Sequence, residues 1–165
     1  KWLGKAVPEP LDMAIPGYNF KELQWRGEFV RAFVESMRGV TDAYGIKLSA
    51  AVRARYYQDA LVEGQDWAEW CQDGLLDIVC PMSYNPCFGR FARFIGNHRR
   101  LAGDTEATWL AGIGRSSSLG VIDAEMMARQ IEFAISAGAD GVCIFHAKAL
   151  GDDDLSALRE LSERL

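Results

Sequence analysis

Four short apolar segments recur along this chain at a nearly constant spacing. Comparable early points of the segments, at Lys47, Asp77, Trp109 and Val142, lie 30, 32 and 33 residues apart. Each segment is typical of a strand buried on both faces, and the stretches between them have helical periodicity. A strand and helix repeating about every 31 residues is what a (β/α)8 barrel of about 250 residues requires. A doubly wound sheet, the other parallel architecture considered, has less regular spacing.

The remaining elements follow from periodicity and from residues that interrupt helices. Apolar residues recur every three or four positions from Phe20 until Gly45, which predicts a long amphipathic helix before the first strand. Residues 1–19 contain three prolines and two glycines, so we expect an extended lead-in loop there. The predicted strands are 46–52, 75–82, 108–113 and 141–145, and the predicted helices that follow them are 65–73, 88–101, 123–137 and 152–165.

This order predicts an α/β fold of the (β/α)8, or TIM-barrel, type. Residues 20–165 would form four βα units preceded by one long helix. Because 165 residues are well below the roughly 250 of a closed barrel, we expect half of a barrel. A half barrel has open sheet edges, which favours pairing with an N-terminal half or self-association.

The charge balance argues against one class of partner. The chain has 18 basic and 23 acidic residues, a net charge of −5, so we expect no nucleic-acid surface based on bulk electrostatics. The sequence also contains no apolar run near the roughly 20 residues of a membrane span, and no transmembrane segment is expected.

Ligands of parallel α/β folds bind beyond the carboxyl ends of the strands. The residues that follow the four predicted strands are Arg53 and Arg55, then Ser83, Tyr84 and Asn85, then Gly114 and Arg115, then His146 and Lys148. They are polar and partly cationic and include no Asp or Glu. Since glycoside hydrolysis usually uses two carboxylates about 5 to 10 Å apart, these positions predict binding more than catalysis.

Two further segments have functional and structural interpretations. Gln65 and Asp66 begin the helix between the first two strands, and Asp66 is the carboxylate nearest the strand ends. It is therefore the candidate catalytic residue, with a helix N-cap as the alternative. Glycines at 112 and 114 resemble a phosphate loop, but Ser117 occupies the third glycine position. An anion loop, a close approach by substrate and simple close packing all remain open.

The cysteines and histidines do not predict a metal site. The four cysteines form no C-x-x-C pair, so we interpret them as small buried residues with free thiols, with a Cys80–Cys87 bridge as the alternative. His146 follows the fourth strand and is a candidate acid, base or binding group. His98 lies within a helix beside two arginines and is expected at the surface. No cofactor is expected.

Several strings in a fixed order carry a resemblance to a known family. They are Gln24-Trp25-Arg26, Lys47-Leu48-Ser49-Ala50-Ala51-Val52, Gln65-Asp66-Trp67-x-x-Trp70, Gly74-Leu75-Leu76-Asp77-Ile78-Val79-Cys80-Pro81-Met82-Ser83-Tyr84, Ala111-Gly112-Ile113-Gly114 and Gly138-Ala139-Asp140-Gly141-Val142-Cys143-Ile144-Phe145. From Phe20 onward the chain resembles the C-terminal half of the barrel of the family 10-like glycosyl hydrolases.

The resemblance implies a barrel hydrolase that acts on a polysaccharide such as a cell-wall glycan, outside the cytoplasm. Catalytic carboxylates would lie mostly in an N-terminal half, so the 165-residue chain alone is expected to be inactive. The chain would supply substrate-binding residues: Tyr84 orients a carboxylate or hydroxyl, Gln65 and Asn85 recognise hydroxyls, and Arg53 meets an acidic substituent. Gly114, Arg115 and His146 complete the expected set.

A non-catalytic function is the alternative. The cationic strand ends at Arg53, Arg115 and Lys148 would then hold a phosphate or carboxylate ligand in an α/β binding module.

Overall fold

The computed structural model describes residues 20–164, so the predicted lead-in loop at 1–19 lies outside the described residues. The helices are α1 (Phe20–Tyr44), α2 (Tyr56–Val62), α3 (Trp67–Gln72), α4 (Phe88–Ala102), α5 (Ala124–Ser136) and α6 (Asp152–Ser162), with a 3-10 turn at Ala147–Ala149. The strands are β1 (Ser49–Arg53), β2 (Ile78–Met82), β3 (Thr108–Gly114), β4 (Ser116–Ser117), β5 (Gly120–Val121) and β6 (Gly141–Phe145). The long first helix and the four main strands confirm the predicted alternation.

The four main strands form one parallel sheet in the order β1-β2-β3-β6, which is also their order along the chain. Each crossover therefore adds its strand at the same edge of the sheet. Because crossovers between parallel strands are right-handed, such an order brings every connecting helix to the same face. The predicted α/β class with a parallel sheet is confirmed. Within residues 20–164, no helix combines the length and apolar content needed to cross a membrane.

Burial differs sharply between the two faces of this sheet. Val52, Val79 and Trp109 lie on the helix-covered face and are almost completely buried in the core. Their neighbours in sequence point to the opposite face because side chains alternate along a strand. On that face Ala51 and Cys143 are exposed, and no element among the described residues covers them. We call this surface the open face.

Two elements differ from the sequence prediction. The connection between β1 and β2 contains two helices, α2 and α3, where one was predicted. Gly64 separates them with φ of +69°, and a Cβ there would lie 3.0 Å from the Cα of Gly27 in α1. Glycine thus permits both the turn and the close approach of α1. The antiparallel pair of β4 and β5 was also not predicted, because two-residue strands carry no periodic pattern.

An aspartate immediately precedes β2 and another immediately precedes β6, and each accepts a backbone N–H at the start of the neighbouring strand of the sheet. The Asp77 carboxylate accepts the backbone N–H of Leu48 at 2.7 Å, and the Asp140 carboxylate accepts that of Trp109 at 2.8 Å. Arg38 of α1 also donates to Asp77 at 2.7 Å. The hydrogen bond from Leu48 lowers the pKa of Asp77, and together with the hydrogen bond from Arg38 it outweighs the opposing effect of desolvation. The same hydrogen bond between an aspartate and a backbone N–H therefore occurs in two βα units whose sequences otherwise differ.

We expect Asp77→Ala to lower the free energy of unfolding by about 2 kcal/mol, because it removes charge-assisted hydrogen bonds to β1 and α1. Asp73→Ala is the matched control, since Asp73 also pairs with an α1 arginine, Arg31, at 2.6 Å but is more exposed. That variant should lose no more than about 1 kcal/mol. Urea unfolding of both variants measures the difference, and equal losses would contradict the role given to Asp77.

Candidate functional site

A cleft of about 450 Å³ lies at the carboxyl edge of the sheet. It is bounded by the segments that follow β1 and β2, the first turn of α4, and the β4–β5 hairpin. The side chains that line it with charges or hydrogen-bonding groups are Arg53, Arg55, Asp59, Tyr84, Asn85, Arg90, Ser117 and Ser118. Three residues predicted from the sequence, Arg53, Tyr84 and Asn85, are therefore brought together.

The cleft is positively charged in an otherwise acidic protein. It contains three arginines and one carboxylate, Asp59, which is nearly fully buried. Asp59 accepts the backbone N–H of Arg55 at 3.0 Å and pairs with its guanidinium at 3.4 Å, while burial raises the pKa of this carboxyl. Within the described part of the chain, Arg53 and Arg90 form no ion pair at 4 Å or less. Their charges therefore remain available to a ligand.

Tyr84 is held in place by a glycine and an aromatic ring. A Cβ on Gly114 would lie only 2.7 Å from the Cβ of Tyr84, so the tyrosine needs a glycine at that position of β3. The ring of Phe145 stacks on Tyr84 with centroids 5.1 Å apart. Burial, with smaller contributions from Cys80 and Cys143, raises the pKa of Tyr84 to about 12. The phenol is protonated near neutral pH and can donate a hydrogen bond.

Gln65 and Asn85 shape the backbone around the cleft. The Gln65 side-chain carbonyl accepts the backbone N–H of Arg53 at 3.0 Å and so fixes the end of β1. The Asn85 side-chain oxygen accepts the N–H of Cys87 at 3.0 Å, and its backbone carbonyl accepts from buried Gln130 at 2.9 Å. Asn85 lines the cleft, whereas Gln65 is not among the residues that line it. The side-chain carbonyl oxygens of both residues are engaged with the protein.

Asp66 forms the N-cap of α3, the alternative considered for it. Its carboxylate accepts the N–H of Glu69 at 3.3 Å and the hydroxyl of Tyr56 at 2.5 Å. Desolvation raises the pKa of Asp66 despite these hydrogen bonds. The residue is not among those that line the cleft.

Arg115 and His146 also lie outside the lining of the cleft. The Arg115 guanidinium donates to the buried carboxylate of Asp154 at 2.8 Å and to the backbone carbonyl of Ile122. It thereby ties the hairpin to the first turn of α6. Desolvation of Asp154 is outweighed by hydrogen bonds from Arg115 and Gly151, which lower its pKa. His146 is exposed and its ring contacts Phe145.

The expectation that His98 lies at the surface is wrong. Its side chain is fully buried between Trp67 and Trp109. Nε2 lies 2.9 Å from the carbonyl oxygen of Ala54, after β1, and Nδ1 lies 3.4 Å from the hydroxyl of Ser83, after β2. Because a carbonyl only accepts, Nε2 carries the proton. His98 of α4 thus joins the two segments that form the floor of the cleft.

The cysteine prediction is confirmed in one respect and wrong in another. All four thiols are free, which excludes the Cys80–Cys87 bridge in this structure. Cys71 is buried, and burial raises its pKa to about 12. However, Cys87 and Cys143 are exposed, because Cys87 precedes α4 in a loop and Cys143 lies on the open face.

Arg90 is the most informative residue that the sequence reasoning missed. It is the third residue of α4 and faces the cleft from the positive end of the helix dipole. A basic side chain is electrostatically disfavoured in the first turn of a helix. An arginine at this position of the sequence therefore could have indicated a binding residue. Asp59 and Arg55 were missed as a pair because α2 itself was not predicted.

Across the described residues, no group of three or more His, Cys, Asp or Glu side chains is arranged to hold a metal ion. Neither the models of known protein families nor the curated proteins contain a match to this chain.

The buried histidine predicts a pH dependence of stability. Burial lowers the pKa of His98 to about 4, whereas the unfolded chain protonates near pH 6.5. Between these values the unfolded chain gains a proton that the folded protein excludes, so stability is lost as the pH falls from about 6.5 to about 4. The loss from this residue is about 3 kcal/mol.

Urea unfolding at pH 7 and pH 4 tests this expectation. His98→Gln retains an N–H donor for Ala54 but cannot titrate, so it should lose about 3 kcal/mol less than wild type between the two pH values. His146→Gln, which replaces the exposed histidine, should follow wild type. An unchanged pH dependence in His98→Gln would show that the buried imidazole does not cause the loss.

Proposed function

We propose that residues 20–164 are part of a (β/α)8 barrel that binds an acidic polysaccharide at the carboxyl edge of its sheet. Further βα units would supply the catalytic carboxylates. The observation that carries the proposal is the cleft at the strand ends, where Arg53 and Arg90 have no ion-pair partner among the described residues and Tyr84 is fixed beside them.

The sheet supports the barrel part of this proposal. Its strands are parallel and in chain order, and β1 and β6 each have one strand neighbour within the described chain. In a closed barrel the open face would be the interior, filled by side chains from other strands. Helix α1 also exposes an aromatic stripe, Trp25, Phe29 and Phe33, each 60% to 65% exposed. An adjacent βα unit would cover this stripe.

The lining of the cleft supports a sugar ligand with an acidic group. A volume of about 450 Å³ falls within the range of small-molecule sites. The Tyr84 hydroxyl and the Asn85 amide can donate to sugar oxygens, and the Tyr84 ring, held by stacking on Phe145, offers an apolar surface. Arg53 and Arg90 are suited to a carboxylate because guanidinium groups bind carboxylates through paired hydrogen bonds.

The carboxylates near the site support binding rather than hydrolysis by these residues alone. Asp59 is buried against Arg55, and Asp66 is engaged by Tyr56 and the N-terminus of α3. A glycosidase needs one carboxyl as acid and a second as nucleophile or base, both facing the scissile bond. The proposed substrate-binding residues are therefore Arg53, Tyr84, Asn85 and Arg90. Gln65 fixes the backbone of Arg53, and Gly114 leaves space for Tyr84.

The second candidate is a binding module for a phosphate or carboxylate ligand without a sugar. The same unpaired charges favour it, although Arg115 no longer contributes because it is engaged with Asp154. Lys148 lies in the exposed turn after β6 and does not line the cleft. Arg53, Arg55 and Arg90 would then form the anion site.

Ligand-induced thermal stabilisation separates these candidates. We expect uronic-acid oligosaccharides to stabilise the protein more than neutral oligosaccharides or inorganic phosphate. Arg90→Gln should weaken binding of the acidic sugar about tenfold, since one charge-assisted hydrogen bond is lost. Arg93→Gln makes the same charge change on the exposed side of α4 and should bind like wild type. Stabilisation by phosphate alone would favour the second candidate.

The 165-residue chain alone should show no glycosidase turnover above the uncatalysed background, because Asp59 is the one carboxylate among the described residues that line the cleft and hydrolysis needs two. Release of reducing ends from acidic and neutral glycans measures this directly. Turnover by the isolated chain that is abolished by Asp66→Asn would contradict the assignment and make Asp66 catalytic.

A further inference from the structure

The cleft contains one pair of opposite charges that the proposed substrate-binding residues do not include, Arg55 and Asp59. The Arg55 side chain is 58% exposed, whereas that of Asp59 is only 3% exposed. Both oxygens of the Asp59 carboxylate contact Arg55, one at 3.0 Å from its backbone N–H and the other at 3.4 Å from its guanidinium. Within the described chain, Asp59 is the one acceptor of this guanidinium. Most of its N–H groups therefore face the open cleft.

A second pair of an arginine and a buried aspartate shows what a structural ion pair in this protein is like. Arg115 lies 2.8 Å from Asp154, its side chain is only 18% exposed, and it also donates to the carbonyl of Ile122. By contrast, the contact between Arg55 and Asp59 is the longest ion pair among the described residues. It exceeds the roughly 2.7 to 2.9 Å of a charge-assisted hydrogen bond. The Arg55 guanidinium is therefore held weakly enough to take another acceptor.

We propose that Arg55 is a third arginine that binds the acidic sugar, and that Asp59 is its internal counter-ion in the free protein. An acidic group of the ligand takes the place of the Asp59 carboxylate on the Arg55 guanidinium, while Asp59 keeps the Arg55 backbone N–H. The cleft favours this exchange because Arg53 and Arg90 attract the same acidic group. The inference rests on the proposed function, and it makes Asp59 a residue that weakens binding of acidic ligands.

The exchange leaves a buried carboxylate without a charged partner. Burial already raises the pKa of Asp59, and the charge of Arg55 opposes that increase. When the guanidinium turns to the ligand, this opposition is lost, so Asp59 takes up one proton from solvent as the ligand binds. Acidic ligands therefore bind more tightly as the pH falls.

The other ionisable groups around Asp59 come from four parts of the fold. They are Arg53 at the end of β1, Glu63 after α2, Arg90 and the buried His98 of α4, and Arg26 of α1, which donates to the carbonyl of Val62 in α2. Among the described residues, none of the basic groups in this set forms an ion pair with Asp59. Arg55 is thus its direct charged partner.

Isothermal titration calorimetry of the 165-residue chain with a uronic-acid disaccharide tests the exchange. Asp59→Asn keeps an acceptor for the Arg55 backbone N–H but has no charge. It should bind the disaccharide about tenfold more tightly than wild type, because the ligand no longer displaces a charged partner. Arg55→Gln should bind it about tenfold more weakly, since one charge-assisted hydrogen bond is lost.

Titrations at about pH 5.5 in two buffers of different ionisation enthalpy measure the proton. Wild type should take up a proton on binding, whereas neither variant should, because Asp59 is absent from one and has no arginine to lose in the other. Circular dichroism checks the fold of each variant. If Asp59→Asn fails to fold, Arg55→Gln and the proton uptake of wild type carry the test.

Asp73→Asn is the matched control, because it removes the same charge from an exposed position outside the cleft. It should bind the disaccharide like wild type. The exchange is overturned if Asp59→Asn binds no more tightly than Asp73→Asn, or if wild type binds without proton uptake. An acidic disaccharide that does not bind wild type at all would contradict the proposed function and, with it, this inference.

Discussion

The parallel pairing of four strands in chain order is the constraint on which the rest of this structure depends. Right-handed crossovers then bring the connecting helices to one face, where Val79, Trp109 and Phe91 form a closed core. The opposite face receives no cover from the described residues and leaves Ala51 and Cys143 exposed. Asp77 and Asp140 stabilise this arrangement by accepting the backbone N–H groups of Leu48, next to β1, and of Trp109 in β3. The same pairing aligns the carboxyl ends of the strands and so creates the cleft.

The cleft depends on residues that do not themselves line it. His98 holds the segments after β1 and β2 together, Gln65 fixes the backbone of Arg53, and Gly114 makes room for Tyr84. These contacts leave the charges of Arg53 and Arg90 directed at an open site. Binding residues on loops held by a rigid sheet are a common arrangement in α/β proteins. The arrangement supports recognition of an acidic ligand, while the nearby carboxylates are used to hold the structure together.

Sequence reasoning predicted the elements whose signal is periodic. The strand segments and α1 were found because apolar residues repeat along them, and the strand ends located Tyr84, Asn85 and Arg53 at one edge. Periodicity could not reveal α2 or the β4–β5 hairpin, which are too short to carry it. It also could not show that His98 is buried, since that depends on Trp67 and Trp109 from other elements.

The association state of the 165-residue chain tests the central claim most directly. If the open face is the interior of a barrel completed by further βα units, the isolated chain should cover that face by self-association. Sedimentation equilibrium should then show a mass above the monomer that rises with protein concentration. Ala51→Glu, which places a charge on the open face, should shift the chain toward monomer. A monodisperse wild-type monomer that unfolds cooperatively at all concentrations would contradict the claim.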